Sequence, residues 1–134
     1  MRNGPIPLNV HAALEPFMAI LLIAAPWIFG FSDVTDAKTI SIAVGVVMLL
    51  SGAMTRWRYA IARVIPLRVH FATDLLLGAV LILSPFVLGF SDQGEAARFT
   101  IIVGALEVIT ALSTRWDPVE EARFEDSSSR AARA

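Results

Sequence analysis

The chain reads as an all-α membrane protein with four transmembrane helices, built as two tandem two-helix repeats related by a parallel pseudo-two-fold axis. Three observations predict this. Apolar residues make up 56% of the 134 positions and the mean hydropathy is +0.66, which leaves more apolar surface than a soluble domain of this size can hide from water. Residues 6–57 lie over residues 65–116 without a gap, and 20 of the 52 positions are identical, which marks an internal duplication. Each copy holds two apolar runs, and about 20 helical residues cross a hydrocarbon core. Four strands could not close a barrel in lipid, so helix is the spanning form open to these runs.

The first span is expected at 11–30. It carries Glu15 and Pro16 and has a repeat partner, so it reads as a retained span and not as a cleavable signal. Its end, Ala25-Pro26-Trp27-Ile28-Phe29-Gly30-Phe31-Ser32-Asp33, recurs at the end of the third span (70–89) as Ser84-Pro85-Phe86-Val87-Leu88-Gly89-Phe90-Ser91-Asp92. Pro26 and Pro85 cannot bond back to Leu22 and Leu81, which predicts bends at matching depths; Gly30 and Gly89 permit the helix to stop. Trp27, Phe31 and Phe90 are expected as aromatic anchors at this interface, with Phe86 standing where the first copy has Trp27. Pro16 has no counterpart, so the first helix should start near Glu15 or carry an additional kink.

The second and fourth spans are expected at 39–56 and 98–115. Ser41, Gly45, Met48, Gly52 and Thr55 form a small-residue stripe at helical spacing, mirrored by Thr100, Gly104, Glu107, Ala111 and Thr114. Small residues let helix backbones approach closely in lipid, so both stripes should face the bundle interior. Both spans end in Thr-Arg-Trp, and Trp57 and Trp116 read as interface anchors.

Nine basic residues lie on the side of the termini and the middle connection, against Lys38 and Arg98 in the two acidic turns. The positive-inside rule places both termini in the cytoplasm of a cell (plasma) membrane protein. The domain layout is a membrane domain over 1–116, with repeat one at 6–57 and repeat two at 65–116, and a disordered cytoplasmic tail over 117–134, where the composition turns polar. The arginines and apolar residues of 58–65 suit a connection lying on the membrane surface.

This twice-repeated unit with its Pro-aromatic-x-x-Gly-Phe ending resembles the SPW repeat family of small bacterial integral membrane proteins, named for a Ser-Pro-Trp motif. Each copy departs from the name, with Ala25 in one and Phe86 in the other. The resemblance implies a paired-helix membrane module and brings no activity with it.

His11 and Glu15, and again His70 and Asp74, stand four residues apart, each pair on one helix face near the cytoplasmic end. One reading is structural, with the acids near the helix starts meeting Arg56 and Arg115. The other brings both pairs together as two imidazoles and two carboxylates, a set that suits iron, manganese or zinc, or haem between His11 and His70. Glu107 replaces Met48 of the first copy near the bilayer middle, either as a proton or cation relay or as a neutral acid bonded to a neighbouring helix.

A net charge of −1 offers no basic stripe for nucleic acid, and the absence of cysteine excludes disulfides and thiolate metal sites. No nucleotide-binding glycine loop, Ser-His-Asp set or paired-helix zinc motif occurs, which argues against an enzyme and a resident cofactor. The leading expectation is a non-enzymatic interaction or scaffold module that binds itself or another membrane protein. Alternatives are an oligomeric small-solute, ion or proton carrier and a haem- or metal-binding redox protein.

Overall fold

The computed structural model describes residues 4–134. Among them are five helices and no strand: α1 (Leu8–Ile28), α2 (Thr35–Met54), α3 (Leu67–Val87), α4 (Gly94–Ser113) and α5 (Pro118–Arg133). The first four are long and apolar enough to cross a membrane. Each starts three or four residues before the expected span. Pro7 and Pro66, with extended ψ of 148° and 151°, turn the chain directly into α1 and α3. The polar first turns of α2 and α4 are already helical, with Asp36 and Glu95 at the positive end of the helix dipole. Helix α1 runs through Pro16, so it does not begin at Glu15.

Helix α1 packs against α2 and α3 against α4, and α2 and α3 join the two hairpins. The small-residue stripes sit at these crossings: a methyl on Gly45 would meet the Ala19 carbonyl at 2.8 Å, and one on Gly104 the Gly78 carbonyl at 2.7 Å. Large apolar side chains such as Leu14, Phe17, Leu50, Leu76, Ile109 and Leu112 stay exposed on the outer faces, where lipid covers them.

The glycines that follow the prolines close α1 and α3. Gly30 and Gly89 adopt φ of 75° and 77°, and the N–H groups of Phe31 and Phe90 reach back to the carbonyls of Pro26 and Pro85 at 2.8 and 2.9 Å. This is a left-handed glycine cap whose next residue packs inward. Phe31 and Phe90 are therefore buried in the core beside Val103 and Ala96, not interface anchors; Trp27 stays exposed. The carbonyl of Leu22, freed by Pro26, accepts from Ser41 Oγ of α2 at 2.6 Å, and that of Leu81 accepts from Ser84 Oγ at 2.9 Å.

The carbonyls at the end of α2 are all taken. Ser51 accepts from Thr55 Oγ1, Gly52 from Trp57 Nε1, Ala53 from the Ile61 and Ala62 amides, and Met54 from those of Val64 and Ile65. At the end of α4, Thr110 accepts from Thr114 Oγ1 and Ala111 from Trp116 Nε1, and Ser113 accepts from the Ile6 amide. The strand-like pairings Thr55 with Ile65 and Ile6 with Thr114 thus occupy equivalent places in the two repeats. Trp57 and Trp116 are buried by this, a correction to their expected place at the interface.

The segment expected to be a disordered tail is helix α5. Pro118 opens it, Asp126 and Arg130 pair at 3.1 Å, and residues 126–134 are exposed. Ala, Arg and Glu favour helix by local propensity and i, i+4 pairing.

Candidate functional site

One to two turns inside the end of the bundle that holds the middle connection, α1 and α3 bring His11, Glu15, His70 and Asp74 together, all four buried. One ligand atom from each lies within 4.8 Å of the others. His11 Nε2 is 3.2 Å from Glu15 Oε2 and 3.2 Å from Asp74 Oδ2. His70 Nε2 is 2.8 Å from Glu15 Oε2 and 3.2 Å from Asp74 Oδ1. Four-residue spacing puts each pair on one helix face, and the hairpin packing turns both faces inward.

The far side of each imidazole is held by the other repeat. His11 Nδ1 lies 2.9 Å from Thr114 Oγ1, and His70 Nδ1 lies 2.7 Å from Thr55 Oγ1 and 3.0 Å from Ser51 Oγ. Each threonine hydroxyl already donates its proton to the carbonyl four residues back, at 2.7 Å in both cases. The threonine oxygen can then only accept, so Nδ1 carries the hydrogen in both rings. Both Nε2 atoms are left facing the carboxylates.

Trp57 and Trp116 wall the site. The Trp57 ring is 4.3 Å from His70 and 5.9 Å from His11, and the Trp116 ring is 5.0 Å from His11 and 5.7 Å from His70. The repeated Thr-Arg-Trp sequence therefore supplies a hydroxyl and an indole to the site. Sequence reasoning gave those threonines and tryptophans other work; the signal that could have linked them was their repetition in step with His-x-x-x-acid.

Arg56 and Arg115 do not join the cluster. Both are exposed, because each stands between a buried threonine and a buried tryptophan and is turned away from the bundle. The acids face imidazoles in place of guanidinium groups. Asp74 Oδ1 and Oδ2 and Glu15 Oε1 are buried with no hydrogen-bond partner, since the 3.2 Å contacts to Asp74 are not aligned for N–H donation. Glu107 is buried in α4 and its Oε1 also has no hydrogen-bond partner, so it does not form the expected bond to a neighbouring helix through that atom.

Two ionised carboxylates in such a place require two positive charges. Two protons on the imidazoles would supply them, and so would one divalent cation. Four metal bonds of 2.0–2.2 Å in a tetrahedron separate neighbouring ligand atoms by roughly 3.3–3.6 Å, so the 2.8–3.2 Å contacts would open by about half an ångström while the widest separation, up to 4.8 Å, would close by about 1 Å or a little more.

Four apolar spanning helices around a buried polar cluster define a multi-pass α-helical membrane protein. The model of the SPW repeat domain matches residues 9–114, and the chain belongs to that family. No curated protein and no solved structure matches it.

Proposed function

We propose that this membrane protein holds one divalent transition-metal ion between His11, Glu15, His70 and Asp74, and that it takes up the ion in exchange for two protons. The observation that carries this reading is the convergence of two buried imidazole nitrogens, each with its tautomer fixed from behind, on the carboxylates of Glu15 and Asp74, three of whose four oxygens lack a hydrogen bond. A hydrogen bond to the far nitrogen is how metal-ligating histidines are oriented. Nitrogen and carboxylate donors suit zinc, iron or manganese. Glu15 and Asp74 approach both rings, so the space between the imidazoles favours an ion over a flat macrocycle such as haem. An interaction or scaffold module would leave this cluster without a role.

The positive-inside asymmetry supports a plasma-membrane orientation with both termini and the metal site toward the cytoplasm, residues 1–116 forming the membrane domain and 117–134 a cytoplasmic appendage. Arg2, one of the nine basic residues, lies outside the described residues. Cysteines placed at Asp36 and Glu95 should react with an impermeant thiol reagent in intact cells, and labelling only at a cysteine placed at Ser128 would reverse this orientation.

The site itself is tested on full-length protein purified in mild detergent, stripped with a chelator and titrated with Zn²⁺, Mn²⁺ and Fe²⁺. The expected result is about one ion per chain, with about two protons released on binding and affinity falling as pH falls. Glu15→Gln and His70→Ala should each abolish stoichiometric binding. Wild-type protein that takes up none of the three metals would overturn the reading and leave the cluster as an internal ion-pair network.

A further inference from the structure

The two seams between the hairpins differ. Helices α2 and α3 pack closely, and Met48 of α2 is fully buried. Helices α1 and α4 meet at His11 and Thr114 and then part, leaving a cleft of about 290 Å³. Phe17, Met18, Leu21 and Leu106 form its walls, and Glu15 and Glu107 line it as well. Phe17 and Leu106 are exposed on the outer face, so the mouth opens onto hydrocarbon and an occupant arrives from the bilayer.

Glu107 stands where the first repeat has Met48 and is only 6% exposed, with Oε1 unpartnered. The His11, Glu15, His70 and Asp74 cluster balances internally with two protons or one divalent ion, and the nearest basic residues along the chain, Arg98 of α4 and Arg115 just beyond it, are both exposed and two turns or more away. An ionised Glu107 therefore calls for one further positive charge, from a group able to sit among apolar walls.

We infer that the α1–α4 cleft is a binding site for a lipophilic monovalent cation, a tertiary or quaternary amine or its like, with Glu107 as the counter-charge. The cleft lies at the small end of the range for ligand sites of mixed apolar and polar lining. Phe17 supplies an aromatic ring at the mouth, and Leu21, Met18 and Leu106 cover the cation's apolar substituents. The cleft borders the metal site, since His11 and Glu15 line both, but the cation is held by Glu107 and the apolar walls, so the inference does not rest on metal binding.

The test is equilibrium dialysis of the full-length protein in phosphatidylcholine nanodiscs with benzyltriethylammonium and with tetraphenylphosphonium, two monocations of different size. At least one should bind saturably, at about one per chain. Glu107→Gln should weaken it about tenfold or more, an ion pair inside apolar walls exceeding the roughly 1.4 kcal/mol that tenfold represents. Leu106→Trp, which narrows the mouth and spares the acid, should weaken it as well. His70→Ala should leave it within about threefold while abolishing metal uptake, and Glu107→Gln should leave metal uptake in place. Absence of saturable binding by both probes, or equal binding by Glu107→Gln and wild type, would overturn the inference without touching the metal reading.

Discussion

In the first half of the bundle the carbonyl that Pro26 leaves free is satisfied by Ser41 from the neighbouring helix. In the second half Ser84, the residue just before the proline, satisfies the equivalent Leu81 carbonyl itself. Thr100, which stands where Ser41 does, bonds back within its own helix to Ala96 and Ala97. A backbone carbonyl in lipid must find a donor, but nothing requires the donor to keep its position. The acids show the same shift. Glu15 approaches α2 at Gly52, where a methyl would lie 2.9 Å from Oε1, while the one-carbon-shorter Asp74 belongs to the half that has Ala111 there. Duplication has preserved the task of each place and let the atoms that perform it move.

The comparison breaks hardest at the cluster, where both halves are needed. His70 makes the one aligned carboxylate contact, 2.8 Å to Glu15, and faces two hydroxyls; His11 faces one. His70→Ala leaves a buried carboxylate without its partner and should cost about 3–5 kcal/mol. His11→Ala should cost less. Unfolding of both variants in mixed micelles by a denaturing detergent measures the difference, and equal losses would show that the two halves contribute alike.

Glu107 sharpens the comparison of the seams. Glu107→Met gives the second half the residue of the first and removes a buried, unpartnered carboxyl oxygen, which should stabilise the bundle by about 1–3 kcal/mol in the same assay. A loss of stability would mean that Glu107 is held by partners in the folded protein.

Much of this was legible beforehand, and the misses share a cause. Hydropathy and the gapless repeat located four spans, and inward-facing acids followed from the cost of charge in lipid. That the two His-acid pairs meet depended on which helices are central, which spacing along one helix does not determine. Trp57, Trp116, Phe31 and Phe90 were expected at interfaces because an aromatic near a span end has the same sequence signature whether it points to headgroups or plugs the bundle. The direction was decided by local hydrogen bonds: the indole N–H groups go to Gly52 and Ala111, and the phenylalanines follow left-handed glycines. Arg56 and Arg115 were drawn toward the acids by charge alone, yet the neighbouring threonine and tryptophan occupy the inward positions. Helix α5 arises from local propensity, which a reading based on composition discounts.

The size match between acid and facing residue gives a reciprocal test. Gly52→Ala places a methyl against Glu15 Oε1 and should cost about 1–3 kcal/mol, the usual range for overpacking. Glu15→Asp in the same chain recreates the second half's combination and should recover most of the loss. A coupling near zero in the four-protein cycle would show that Glu15 moves aside freely.

The smallest effect concerns the proline carbonyls and tests the comparison most directly. Ser41→Ala removes the donor to the Leu22 carbonyl, and Pro26 prevents the helix from replacing it. The cost should be about 1 kcal/mol, between the average found for interhelical bonds in membranes and the cost of an unsatisfied buried group. Ala25→Ser then places a hydroxyl where the second half has Ser84, three residues beyond the carbonyl it must reach. On the Ser41→Ala background it should restore the lost stability, because the new donor finds a free acceptor. On the wild-type background it should add little, because Ser41 already occupies that carbonyl. The stability difference between these two backgrounds is the coupling between the donors. If Ala25→Ser had the same effect on both, the two serines would not be alternative solutions to one proline.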